Sequence, residues 1–544
     1  MIFLFGLLST AFAADDDFEF SLEGYYRVRG YSFLDLYADQ EGPGSFVAQR
    51  LRLQPQLDYK DPKGVSKAKF FMMADVIDDV VWGDNQSLAS TSVFAGDPSN
   101  TGMDGSVSGI NIKRAWMEFD AKLGTVRVGR MESHWGMGLL ANHGNGFDDN
   151  FGENHTGATF DRIFFATKPI TVVQTILKQE VQDIPFFMGY AFDRLVEDPL
   201  IQYKGYTCEE GIADGDPDFD ARCDSNGDGL TDMEHSYTDE SRTEANRGSD
   251  WTFDNADDVT EHVFFGIYSG KETPIFGTDG ELTAGFYAIN RTQQETASNV
   301  WIYDAYFRLL WNRLYLEGEY LTITGESSAI ALPGAYDPSS EATDPLKKTV
   351  DIVGYSARMG YKDDKLSAVL ETGYASGDDN VADDVFTGRP LSPDFTVGLI
   401  IYDQVLAQAS SKAWGSTAEA LWSNGSVYNS RYLHPVVNYS LNKDTQILVG
   451  YLHVWPDRPD GAIIQCSEDD MVNGEALDCA TYGATAADIG WEIDFAFKTR
   501  IHNHVLFSLE GGFAQVTDRI KLSNVGLNEN GSFSTLQTRF AYEF

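Results

Sequence analysis

The chain has 544 residues, a formal net charge of −43 and a pI near 4.4, with 13% aromatic residues, 51 glycines and only 17 prolines. Such acidity repels polyanions and argues against a nucleic-acid partner. No apolar run beyond the first residues approaches the ~18 needed for a membrane-spanning helix, and the mean hydropathy of −0.28 agrees, so a helical membrane protein is excluded and a strand-rich chain is favoured.

The opening "MIFLFGLLSTAFA" is apolar and ends in a small-x-small pattern at Ala11 and Ala13. It reads as a signal peptide, residues 1–13, although its start lacks the usual Lys or Arg. The remainder, 14–544, then reads as one exported domain built from segments of about ten residues that alternate in polarity, the pattern of a transmembrane β-barrel. Phe18 to Tyr31 and "QRLRLQPQLDYK" form the first pair, closed by "DPKG"; Lys67 to Asp75 and "NIKRAWMEFD" form the second. "TVRVGRM", "ATFDRIFFA" and "PFFMGYAFDRL" follow. Between the last two, Thr167 to Asp183 reads as a connection, so it adds no strand to the series.

After a long acidic stretch come "EHVFFGIYSG", "GELTAGFYAIN", "NVWIYDAYFRLLW" with a tight turn at Asn312 and Arg313, "LYLEGEYLTIT", "DIVGYSARMGY" and "KLSAVLETGY". "SRYLHPVVNYSL", "TQILVGYLHVW", "IGWEIDFAFK", "VLFSLEGGFAQV" and a final strand complete the series. The expected fold is therefore an all-β antiparallel barrel of about eighteen strands, with short turns at one end and long acidic loops at the other. The last strand places Leu536, Thr538, Phe540, Tyr542 and Phe544 on one face. It resembles the terminal signal by which the outer-membrane barrel assembly machinery recognises its clients. Bacterial outer membrane is the expected location, with membrane lipid, lipopolysaccharide and that machinery as partners.

Alternation also assigns the lumen. Arg27 and Arg29 fall opposite Phe20, Leu22, Tyr26 and Val28; Arg50 and Arg52 fall opposite Leu51 and Leu53. Arg114, Glu118, Asp120 and Arg127 continue this polar face, and Glu317 and Glu319 stand among acids elsewhere in the ring, with Asp304, Glu371, Asp494 and Glu510. Charge on the lipid face costs a few kcal/mol, so these residues are expected to line a wet pore. "QRLRLQPQLDYK", "KRAWMEFD", "VRVGRMESHWGMGLLANHG" and "SPDFTVGLIIYDQVLAQ" resemble segments of alginate-export-type outer-membrane channels and their uncharacterised relatives. That resemblance implies an eighteen-stranded barrel with an arginine-rich lumen, to which Arg27, Arg29, Arg50, Arg52, Arg114 and Arg127 would contribute.

Two long loops stand out. Residues 196–258 carry nineteen Asp and Glu against four Lys and Arg, and contain "DSNGDGLTD", in which Asp224, Asn226, Asp228 and Asp232 match positions 1, 3, 5 and 9 of a calcium-binding loop. The usual glutamate is displaced, so a weak structural Ca²⁺ site is expected, and no other cofactor. Cys208 with Cys223, and Cys466 with Cys479, are spaced as two local disulfides of an exported protein. Residues 378–426 form the second loop; "DFTVGLIIYDQVL" within it is too apolar for free solvent and is expected to serve as an inward constriction or lid, or to pack on neighbouring loops.

No G-x-S-x-G, H-E-x-x-H or P-loop occurs, and the cluster His134, His143, Asp148, Asp149, Glu153 and His155 has no serine at a readable spacing. No catalytic residue is assigned and an enzyme is not expected. The function expected is a porin-like channel for small hydrophilic solutes or a saccharide. A closed-lumen receptor or adhesin is the alternative, and an outer-membrane hydrolase a more distant one.

Overall fold

A computed structural model describes residues 18–37, 45–61, 66–83, 106–107, 110–121, 123–144, 146–147, 149–153, 157–197, 259–293, 298–327, 348–378, 385–410, 423–458, 471–472, 475–476 and 487–544. The signal-peptide segment, the four cysteines and the calcium-like loop lie outside these residues.

Eighteen long antiparallel strands close into a ring: β1 (Phe18–Leu34), β2 (Ser45–Lys60), β3 (Ser66–Gly83), β4 (Asn111–Ala121), β5 (Gly124–Glu132), β6 (Thr159–Thr167), β7 (Phe186–Glu197), β8 (Thr260–Ile275), β9 (Thr278–Gln293), β10 (Ser298–Trp311), β11 (Leu314–Ser327), β12 (Lys348–Lys362), β13 (Leu366–Ala375), β14 (Ser430–Asn442), β15 (Thr445–Pro456), β16 (Gly490–Ile501), β17 (Val505–Val516) and β18 (Ser532–Glu543). Each pairs with its chain neighbours, and β18 returns to β1 with Tyr26 opposite Tyr542 and Arg29 opposite Arg539. Reciprocal backbone bonds of 3.0 Å between Gly24 and Phe544 seal the seam. Closure leaves no unpaired edge, which is what lets a sheet stand in hydrocarbon.

The turns follow from their residues. Asn312 and Arg313 both have positive φ (55° and 110°) and form a two-residue connection; His502 and Asn503 (52° and 64°) open a three-residue one that ends at His504, and such turns match the twist of the strands. Thr167 to Asp183 is a connection that contains the short helix α1 (Pro169–Ile176), pinned at its base by a 2.5 Å ion pair between Lys168 and Asp183. Side chains separate by parity: Phe286, Tyr320, Leu370, Phe495, Leu536 and Phe540 are exposed outward, whereas Arg27, Arg52, Asp304, Glu371, Asp494 and Gln537 are buried inward.

The interior is a packed core at the long-loop end. Residues 133–153 and 385–410 fold into the ring, burying Leu139, Phe151, Val397, Leu399, Ile401, Tyr402, Val405 and Leu406 against inward residues such as Phe46, Leu448 and Leu452. The excess hydrophobicity of "DFTVGLIIYDQVL" is thereby accounted for: it lies inside the barrel. Phe286 is 50% exposed in the middle of the outer face. Phe286→Arg is expected to destabilise the barrel in lipid by about 2–4 kcal/mol, measured by denaturant titration; an unchanged midpoint would show that this face does not meet lipid.

Candidate channel constriction

Strand register brings like charges together. Arg27 stands opposite Arg50 and Arg29 opposite Arg539, an arrangement that repels unless acids are supplied. The acids come from two sources. On β3, Asp78 stands opposite Arg50 and Asp75 opposite Arg52, with ion pairs of 2.6 and 2.7 Å. From the first in-folded segment, Glu153 pairs with Arg27, with Arg29 at 3.3 Å and with Arg539 at 3.0 Å. All these groups are buried, so removing one partner would strand the others in a dry interior at a cost of about 3–5 kcal/mol.

Other inward acids grip the in-folded segments themselves. Glu319 on β11 accepts the amides of Met137 and Leu139, while Asp304 on β10 accepts Trp135 Nε1 at 3.0 Å, and the indole stacks on Tyr287 at 5.0 Å. Gly136 and Gly138 have φ of 57° and 85°; a Cβ at Gly136 would sit 2.3 Å from Glu319 Oε2, so glycine there permits the grip. Glu510 on β17 accepts the Gly152 amide at 2.8 Å.

Glu492 on β16 accepts three successive amides, those of Leu399, Ile400 and Ile401, at 2.6, 2.8 and 2.8 Å. These open a helical turn of π type over Ile401–Leu406, where the Val405 amide reaches Ile400 O at 3.0 Å. The two segments also bind each other. Asp394 accepts the Gly157 amide at 2.8 Å, Asn142 Nδ2 donates to Asp394 O at 3.1 Å, and the Ser392 amide donates to Leu139 O at 2.7 Å.

The sequence-assigned residues thus divide. Arg27, Arg29, Arg50, Arg52, Arg114 and Glu319 face inward but are buried in the packed region, with Arg114 bound to Glu132 and to His143 O. Glu118, Asp120 and Arg127 lie toward the short-turn end, where Arg127 pairs with Glu118 at 2.5 Å and its side chain is 43% exposed. Glu317 meets Arg358 at 3.3 Å and also accepts the Tyr306 hydroxyl. Glu153, Arg358, Lys362, His434 and Glu492 were not among the residues that alternation assigned to the lumen. Arg358, His434 and Glu492 were available to the same alternation rule, whereas Glu153 lies in a loop that carries no periodicity.

Among the described residues a cavity of about 350 Å³ lies next to the packed segments. Asp149, Phe151, Thr396 and Gly398 roof it, and Arg358, Lys362, Glu371 and His434 are among its wall residues. Among the packed segments a gap of about 20 Å³ lies between Arg29, Glu153, Thr396 and Gly398. That gap is roughly the size of one water. Of the former histidine cluster, His134 and His143 stack at 4.3 Å and Glu153 is committed to arginines; among the described residues no group of three or more is placed to hold a metal.

No family model matches the chain, and no curated protein matches it in sequence. Among solved structures it is similar to three Pseudomonas aeruginosa proteins. OpdQ shares 10% identity over 97% of this chain and 98% of that one, with a TM-score of 0.45. OccK9 (OpdG) shares 8% over 96% and 98%, at 0.46, and the outer membrane protein opdK 9% over 96% and 99%, at 0.44. The barrel itself rests on the hydrogen-bonded closure described above, not on these likenesses.

Burial, and secondarily the neighbouring His143, lowers the His134 pKa from 6.5 to about 4. The unfolded segment takes up a proton that the folded one refuses, so this residue's contribution to stability is full above pH 6.5 and is lost as pH falls toward 4. A proton NMR titration of His134 is expected to show a midpoint near 4; a midpoint near 6.5 would place the ring in solvent.

Proposed function

We propose that the protein is an outer-membrane channel that admits small hydrophilic solutes and restricts them at a constriction built by its two in-folded segments. The observation that carries this reading is the conjunction of an apolar outer face with a charged vestibule of about 350 Å³ leading to that constriction. The short-turn end faces the periplasm and the long acidic loops face the outside, as is usual for such barrels. The chemistry is passage, not catalysis.

A wide conduit for an acidic polysaccharide, the finer reading implied by the family resemblance, receives little support. Arg27, Arg29, Arg50 and Arg52 are engaged with Glu153, Asp78 and Asp75, and so offer no free guanidinium ladder to a polyanion. Arg358, by contrast, borders open volume. The closed-lumen receptor is favoured by one observation, the packing of the two in-folded segments against the inner wall.

Conductance separates the two. The purified barrel in a planar bilayer is expected to give small stepwise currents, and Glu492→Leu, which frees three amides of the second segment, is expected to enlarge the steps several-fold. Arg358→Gln should move selectivity toward cations, and Arg52→Gln should leave it nearly unchanged. A silent bilayer for both the wild type and Glu492→Leu would favour the receptor.

A further inference from the structure

We infer that the vestibule is a binding site for a neutral polyhydroxyl solute of monosaccharide size. This deepens the channel reading by naming the solute class. The volume of about 350 Å³ stands at the lower end of the ~300–1,000 Å³ that small-ligand sites occupy.

The most deeply set charges of the wall are paired with each other. Arg358 is held between Glu371, at 2.7 Å, and Glu317, at 3.3 Å; Glu371 also accepts the Tyr432 hydroxyl at 2.7 Å. The Lys362 ammonium lies 3.3 Å over the Tyr315 ring, within the same group as Glu317, whose carboxylate accepts the Tyr306 and Tyr315 hydroxyls. Two cations thus stand against Glu317, Glu371 and the exposed Asp363 at the rim. A free carboxylate entering here meets those acids, and a free ammonium meets Arg358 and Lys362. With the Asp149 carboxyl in the roof as well, charges of both signs border the cavity, and an ion of either sign meets like charge beside its counter-charge.

Hydrogen-bonding capacity is left over. His434 Nε2 and Asn438 Oδ1, both on wall residues, have no hydrogen-bond partner. A small side-chain rotation would offer either to a hydroxyl and relieve the cost of an unmet buried polar atom, about 1–3 kcal/mol. Phe151 supplies an apolar ring in the roof, 6.0 Å from the His434 ring and suited to the C–H face of a sugar.

Isothermal calorimetry on the full barrel in detergent tests this with glucose, glucuronate, and glucosamine below the pKa of its amine. Glucose should bind with a Kd on the order of 1 mM, and both charged analogues about tenfold more weakly. A charged analogue that binds as tightly as glucose, or no binding by any of the three, would overturn the inference. Asn438→Leu, with folding checked by heat-modifiable gel mobility, should weaken glucose about tenfold; unchanged affinity in a folded variant counts against the site, and if that variant does not fold, the wild-type series decides. Calorimetry does not depend on conduction, so a silent bilayer with intact glucose binding would sink the channel reading and leave this one standing.

Discussion

The interior depends on one kind of interaction: a carboxyl group on a barrel strand accepting backbone amides from a segment that has folded into the lumen. Glu492 takes three amides, Glu319 two and Glu510 one. A loop entering a barrel brings backbone N–H groups that no ladder satisfies, and each left buried and unpaired costs about 1–3 kcal/mol. Supplying acceptors from the wall removes that penalty and fixes where each segment lies. The apolar residues of the segments can then pack against one another as an ordinary core, in a place where a wider barrel would hold water.

The arginine wall is bound into the same structure. Its register sets Arg27 against Arg50 and Arg29 against Arg539, and Glu153, arriving from the first segment, bonds to three of the four. The first segment is therefore held by ion pairs on one side and by amide contacts with acids on the other. Loss of either side would leave buried charge or buried amides without partners, so the constriction behaves as part of the barrel. On the proposed channel reading, selectivity belongs to the groups bordering open volume, Arg358, Lys362 and Glu371, rather than to the most conspicuous run of arginines.

Much of the fold was legible in the sequence because a strand exposed to lipid on one face and polar groups on the other must alternate, and residues as far apart as Tyr26 and Tyr542 obey that rule. The number of strands and the reading of Thr167 to Asp183 as a connection follow from it. The candidate site was legible only by face. Alternation places Glu319 and Asp494 inward, but whether an inward acid meets water, an arginine or a backbone amide is decided by loops that have no period. "DFTVGLIIYDQVL" announced burial through its apolarity, yet nothing in it names Glu492 as its anchor. "ESHWGMGLLANHG" stood out for its histidines, whereas Gly136 and Gly138 serve to bring backbone onto Glu319.

The most direct test is amide hydrogen exchange on the intact barrel, followed at Met137, Leu139, Leu399, Ile400 and Ile401. All five lie in connections, yet their amides should be protected to a degree comparable with the barrel strands, and Glu492→Leu should expose the last three by about 10–100-fold while the strands keep their protection. Exchange of these amides in the wild type at the rate of an open loop would contradict the account.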